Sequence, residues 1–385
     1  MTLFMRLKIL VLAVVCCTLN AHLSYGKPAS SITDVPGVQV GHTTLISNTP
    51  VQIRTGVTAV VPNFKAIGDE QGSLPTHGLP AAVEVHSGNG VLTGVSFIQD
   101  FGLLNAPIIL TNTESVGVAY TAVRHYMREQ FRSPWEGGIP VIGECWDGFF
   151  NTVNHSSVTS TDVINAIQSA SNEPVPMGSV GAGTGMRSFG LHAGIGSASQ
   201  RITVDGKTYT LGVLLNMNHS PFAQMDLSFK RRLERVLGNL QHVLAADSAH
   251  QIKSKRTAET SSVNPFRTGS IVTILATDAP LNEKQLHLLA KRAWLGIGQT
   301  GSIGALSSGD FTIAFSTQKA IDMRTKPQES TQPLSLHSLS NNDLTLFFKT
   351  AVDIVTEAQY RAILSSHLPV QSELSPNNTA TPHPK

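Results

Sequence analysis

Residues 245–268 read A-A-D-S-A-H-Q-I-K-S-K-R-T-A-E-T-S-S-V-N-P-F-R-T, almost without apolar periodicity, and the chain then turns at once into Ser270-Ile-Val-Thr-Ile-Leu-Ala276. The first stretch has the composition of a linker. The second is an apolar run that reads as a core strand. The Gly269-Ser270 junction therefore constrains the fold more than any other feature, because a buried strand must begin directly after a segment with no core-facing pattern.

Around that junction the chain alternates short β-like runs with Gly and Pro punctuation. Strand-like runs fall at residues 37–40, 57–61, 91–97, 108–111, 140–143, 208–215 and 311–315. The spacing predicts a helix over 160–170, with Val163, Ile164 and Ile167 on one face. A second follows Pro280, with Leu286, Leu289, Ala290, Ala293 and Ile297 on one face. A third is marked by Leu344, Phe347, Phe348, Ala351, Val355 and Ala358, with Glu357 and Arg361 one turn apart. The 385 residues, 41% of them hydrophobic and only 14% charged, can bury a full core, which excludes a disordered tail, a collagen-like rod and a disulfide miniprotein. Nothing resembles the clustered Lys and Arg of a nucleic-acid binder.

The N-terminus has the layout of a secretory signal peptide: Arg6 and Lys8, an apolar run over 9–17, then small residues at Ser24 and Gly26. The expected leader is 1–26, and the protein is expected to be exported, periplasmic or secreted. The apolar run falls short of the roughly 20 residues a membrane span needs, so no membrane attachment is expected after its removal. Losing the leader takes two of the 28 basic residues and no acidic one, which leaves 26 against 26 acidic. It also takes Cys16 and Cys17, so Cys145 remains as a lone thiol that can form neither an intrachain disulfide nor a thiolate zinc site. No H-E-x-x-H, P-loop or G-x-S-x-G motif occurs. The glycines at 181, 183 and 185 lack dinucleotide spacing and fit tight turns or close backbone approach better than a phosphate cradle.

Two readings of Gly269-Ser270 stand at this level. One is an ordinary loop entering a strand. The other is a self-cleavage site, where the Ser270 hydroxyl attacks the Gly269 carbonyl, an N-to-O acyl shift forms an ester and water releases a new N-terminus. Gly leaves the attack uncrowded. The new α-amine, with an ordinary pKa of roughly 7.7–8.0, could accept the proton of its own hydroxyl.

The chain also carries Ile32-Thr-Asp-Val-Pro-Gly-Val-Gln-Val-Gly-His42, Arg54-Thr-Gly-Val-Thr58, Thr111-Asn-Thr113, Gly143-Glu-Cys-Trp-Asp-Gly148, Val180-Gly-Ala-Gly-Thr-Gly185, Thr277-Asp-Ala-Pro280 and Ser308-Gly-Asp310 with Ala314-Phe-Ser-Thr317. In this order, with Gly269-Ser270, these motifs resemble the self-processing aminopeptidases of the DmpA and BapA type, also described as L-aminopeptidase/D-esterases or β-peptidyl aminopeptidases. The resemblance implies an α/β (α+β) architecture, an αββα sandwich of two sheets flanked by helices. It implies an α-chain over 27–269, with a flexible linker from about 245, and a β-chain over 270–385 of the same domain, with a disordered tail over about 371–385. It makes Ser270 the nucleophile, Asn216 the oxyanion donor, Ser308 and Asp310 the pair that orients the nucleophile and relays its proton, and Glu144 the carboxylate that meets the substrate ammonium. Asp310 is shorter than the Glu some relatives have. Trp146 stands where some relatives carry Tyr, and would reshape the amine pocket. The implied substrates are peptides or aminoacyl amides and esters, with no metal or organic cofactor, and the implied assembly is a homo-oligomer, a tetramer of αβ units. Within this chemistry a D-aminoacyl amidase or esterase and a β-peptidyl aminopeptidase remain alternatives. Outside it stands an unprocessed binding protein that keeps the fold.

Overall fold

Residues 30–63, 77–131, 138–251, 269–318, 321–322 and 339–368 are described by a computed structural model. The expected leader, the C-terminal tail and most of the linker lie outside them. Nine strands carry the architecture: β1 (Val38–Ser47), β2 (Ile53–Pro62), β3 (His77–Gly88), β4 (Ile108–Thr111), β5 (Val141–Glu144), β6 (Ile195–Val204), β7 (Lys207–Asn218), β8 (Ser270–Thr277) and β9 (Gly309–Ser316). The helices are α1 (Val95–Phe101), α2 (Val116–Phe131), α3 (Ser160–Gln168), α4 (Leu227–Leu237), α5 (Leu240–Ala249), α6 (Glu283–Gly298) and α7 (Asn341–His367).

One sheet runs β1-β2-β4-β5, the other β3-β9-β8-β7-β6. Strand β8 lies inside the second sheet, antiparallel to β7 and parallel to β9. Its alternation divides the core. Val272, Ile274 and Ala276 join Val57, Ala59 and Ile109 of the first sheet in the layer between the sheets. Ile271 and Leu275 point the other way, onto Leu286 and Leu289 of α6 and Phe347 of α7. Helices α2 and α3 pack together on the outer face of the first sheet, and α6 and α7 on that of the second. The result is the expected αββα sandwich, with both strand faces of β8 apolar because both are covered.

The helices expected from periodicity are present. Helix α3 opens with a capping box in which Thr159 and Asp162 satisfy each other's backbone N–H groups. On α6, Leu286, Leu289, Ala290, Ala293 and Ile297 are all buried, and on α7 Glu357 accepts from Arg361 at 2.8 Å. The run at 91–97 is a correction. Leu92 makes only an isolated bridge to Gly143, and Gly94, at φ +78°, turns the chain into α1, whose rings Phe97 and Phe101 stack one turn apart. The first residues of the expected linker, 245–249, are instead the end of α5, which stays helical to Ala249.

The glycine-rich stretch is structural. The Gly181 and Ala182 N–H groups donate to the hydroxyls of Thr44 and Thr58, and a Cβ on Gly183 would lie 2.5 Å from the Ile195 nitrogen. Its amides are consumed inside the protein, so they form no anion cradle. Close approach also governs the contact of α7 with β6. A Cβ on Gly196 would lie 2.1 Å from the Ala358 carbonyl oxygen. Gly196→Ala is expected to push helix from sheet and lower unfolding free energy by about 1–3 kcal/mol, measured by urea denaturation.

Candidate active site

Where β7 ends, β8 and β9 begin. Ser270, the first residue of β8, pairs with Asn218 on one side and Gly309 on the other. Directly opposed residues share a face, so Asn218 and Ser270 lie on the same inter-sheet face as Val272. Gly269 and Ser270 are consecutive residues of one chain here. A Cβ on Gly269 would lie 1.9 Å from the Asn218 carbonyl oxygen and 2.5 Å from its Nδ2. Only glycine fits, and it brings the Gly269-Ser270 peptide against the Asn218 side-chain amide.

That amide is held at both ends. Its Nδ2 donates to the Trp146 carbonyl oxygen at 2.6 Å, and its Oδ1 accepts from the Arg187 N–H at 2.9 Å. The expected oxyanion donor, Asn216, sits elsewhere. It pairs with Val272, one step deeper along the strand, and its Nδ2 reaches the Ala182 carbonyl at 3.4 Å. Sequence reasoning passed over Asn218. The signal was present, since Asn216 and Asn218 share a strand face and the outer of the two must stand nearer a residue that begins the neighbouring strand.

Ser308 and Asp310 flank Gly309, the residue paired with Ser270. The Ser308 hydroxyl donates to Asp310 Oδ1 at 2.6 Å, so the shorter acid reaches its partner. Burial pushes the Asp310 carboxyl up to about 6, with the Ser308 hydroxyl and the Ile271 amide pulling it back. Its Oδ2 is buried without a hydrogen bond.

Glu144 closes the site from the first sheet. Buried at the end of β5, it accepts from the Val91 N–H at 3.0 Å through Oε1 and from the Thr113 hydroxyl through Oε2. Burial raises its carboxyl above the ordinary range, and those two bonds oppose the shift. The loop at 89–91, of which only residue 91 fell within an expected strand, ties the sheets together here. The Asn89 N–H donates to the Ser308 carbonyl at 3.2 Å, and a Cβ on Gly90 would lie 3.0 Å from both Glu144 Oε1 and Gly309 Cα. Trp146 is 38% exposed and stands edge-on to Phe149 with centroids 5.1 Å apart. Cys145 is fully buried, and burial together with the nearby Glu144 and Asp310 charges pushes its thiol well up, the reverse of what a thiolate nucleophile needs. Among the described residues no group of His, Cys, Asp or Glu is arranged to hold a metal.

A hydroxyl at a strand start, a side-chain amide beside the preceding glycine, a buried hydroxyl–acid pair and a second carboxylate are the parts that acyl transfer requires. Comparison with known proteins agrees with this chemistry. The sequence profile of peptidase family S58 matches residues 30–371. The β-peptidyl aminopeptidase BapA of Sphingosinicella microcystinivorans is 36% identical over 346 residues, 86% of this chain and 81% of that protein. Among solved structures, the L-aminopeptidase D-Ala-esterase/amidase of Ochrobactrum anthropi, described as a variant of the Ntn hydrolase fold, superposes with a TM-score of 0.72 at 31% identity, covering 89% of this chain and 88% of the other. A β-aminopeptidase from Burkholderia sp. gives a TM-score of 0.70 at 31% identity, covering 89% of each chain.

The raised Asp310 carboxyl has a consequence for stability. Between about pH 4 and 6 the native state keeps a proton that the unfolded chain has released, so this group's contribution to stability falls as pH rises through that window. Asp310→Asn cannot titrate. Between pH 4 and pH 7 the wild type is expected to lose unfolding free energy relative to the variant, measured by urea denaturation of both.

Proposed function

The chain belongs to peptidase family S58, and on that premise we propose that it is an exported, self-cleaving aminopeptidase with Ser270 as its nucleophile. The observation that carries this reading is the seating of the Gly269-Ser270 peptide against the Asn218 amide, beside Ser308 and Asp310. In the uncut chain the Ser270 hydroxyl adds to the Gly269 carbonyl and the peptide nitrogen leaves with a proton. Water then hydrolyses the ester, releasing the Gly269 carboxylate and freeing both the hydroxyl and the α-amine of Ser270. With the leader removed at Gly26, the two chains have 243 and 116 residues.

In the processed enzyme the α-amine takes the hydroxyl proton as Ser270 attacks the carbonyl of a substrate's N-terminal residue. Asn218 has two amide N–H groups, of which one is on Trp146, and the other can meet the developing oxyanion. Such a donor is worth about 3–4 kcal/mol of barrier. Ser308 and Asp310, whose carboxyl lies close to working pH, hold and relay the proton. Glu144 keeps lone pairs free beyond its two bonds and binds the substrate's ammonium group, which restricts attack to the first residue. The names of the relatives support substrates that begin with a β-residue, and the Ochrobactrum structure supports L-aminoacyl peptides and D-alanyl esters or amides as the second reading. A panel of L-, D- and β-aminoacyl amides separates the two. We assign the working form as a homo-oligomer, a tetramer of αβ units.

Ser270→Ala is expected to run as one uncut band without activity, while the wild type gives two bands, the smaller beginning Ser-Ile-Val-Thr-Ile. A wild type that stays whole and inactive leaves the binding-protein reading in its place. In a second comparison, Asn218→Ala is expected to lower kcat by about 100- to 1,000-fold, and Asn216→Ala by much less. Steady-state kinetics on a processed sample of each variant provides the check.

A further inference from the structure

Arg187 grips the far end of the Asn218 amide through its backbone N–H, and its side chain is placed unusually. The guanidinium lies 3.6 Å from the centroid of the Phe149 ring, and Nη1 donates to Gln251 Oε1 at 3.3 Å. A guanidinium has five N–H donors, and among the described residues this one spends a single bond, on a neutral amide. Among the described residues it has no carboxylate partner. Burial pushes it down to about 10, so the charge is held where water is scarce. Phe149 in turn meets Trp146 edge-on, and Trp146 holds the other end of the same amide. The cationic stack is therefore joined by three contacts to the group that faces Ser270. The Arg187 N–H on Asn218 Oδ1, with Asn218 opposite Ser270, sets this residue beside the cross-strand partner of the serine.

We propose that Arg187, stacked on Phe149, is a specificity-determining residue that binds a carboxylate on the residue released by cleavage, and that the preferred substrates are dipeptides with a free C-terminus or peptides with an acidic second residue. This rests on the aminopeptidase reading. A planar guanidinium presents paired donors to a carboxylate, and an aromatic face beneath it keeps the fork oriented.

The test uses the processed enzyme with L-Ala-Leu or β-Ala-Leu, whichever it cleaves, the corresponding C-terminal amide, and the amide carrying Glu as second residue. The wild type is expected to favour the acid over its amide by about 10- to 100-fold in kcat/KM. Arg187→Met should collapse that ratio toward one, and Arg187→Lys should retain part of it. If the Glu amide rather than the free acid outranks the Leu amide, and loses its advantage in Arg187→Met, the bound carboxylate is the side chain's and the proposal holds. Equal kcat/KM for all three substrates in the wild type overturns it. So does a fall in Arg187→Met that leaves the acid-to-amide ratio unchanged, the mark of a merely structural arginine. A wild type that hydrolyses none of them overturns the aminopeptidase reading as well.

Discussion

The pairing of β8 between β7 and β9 is the constraint on which the rest depends. Its antiparallel ladder with β7 sets Ser270 opposite Asn218, and its parallel ladder with β9 sets the same residue beside Gly309. A slip of one residue in either ladder would turn Val272, Ile274 and Ala276 out of the inter-sheet core and carry Ser270 away from Asn218. The register is held by burial on both faces, against the first sheet on one side and α6 and α7 on the other. The same apolar packing that stabilises the sandwich therefore positions the Ser270 hydroxyl.

Around that strand the protein buries polar groups that would stabilise the fold less than apolar residues of the same size. Asp310, Glu144, Asp147 and Asn218 are all nearly inaccessible. Burial raises the three carboxyls, and each is partly compensated by hydroxyls and amides rather than by a cation. Asp147 is a useful contrast. It accepts from Asn112 at 3.0 Å and Asn151 at 3.1 Å and organises the turn after β5. Glu144 and Asp310 both reach the loop and strand ends around Gly309. Strong desolvation is shared by all three acids, so approach to Gly309 is what sets Glu144 and Asp310 apart.

Side-chain contacts also bridge the two sides of the proposed cut. His367, at the end of α7, bonds Asp247 of α5 at 2.8 Å, and Asp247 also accepts from the His192 N–H at 2.7 Å. Arg361 of α7 donates to the Ser30 carbonyl at 2.6 Å. Strand β8 itself is hydrogen-bonded to β7. Breaking one peptide bond at Gly269 would leave this network and both apolar layers intact, because none of them runs through that bond.

The elements legible in the sequence were those whose pattern has one physical explanation. The apolar run of β8 and the one-sided faces of α6 and α7 are of this kind, whereas Ser308 and Asp310 were singled out by the family resemblance, with which a spacing of two at a strand entrance is consistent. The run at 91–97 failed because its β-like composition was overruled by Gly94 in the left-handed region and by a single bridge to Gly143. Strand β3 and helix α2 carried no clear periodic signal, and their place comes from neighbours distant in sequence: β9 and α6 for the first, α3 and β5 for the second. By itself the sequence determined that a core strand starts at Ser270 behind a glycine, because an apolar run after a patternless stretch admits little else. Only the tertiary structure decided that Asn218 rather than Asn216 pairs with that serine, and that the Arg187 guanidinium lies within three contacts of Asn218. Register and ring stacking depend on which strands and loops become neighbours, and local composition does not encode that choice.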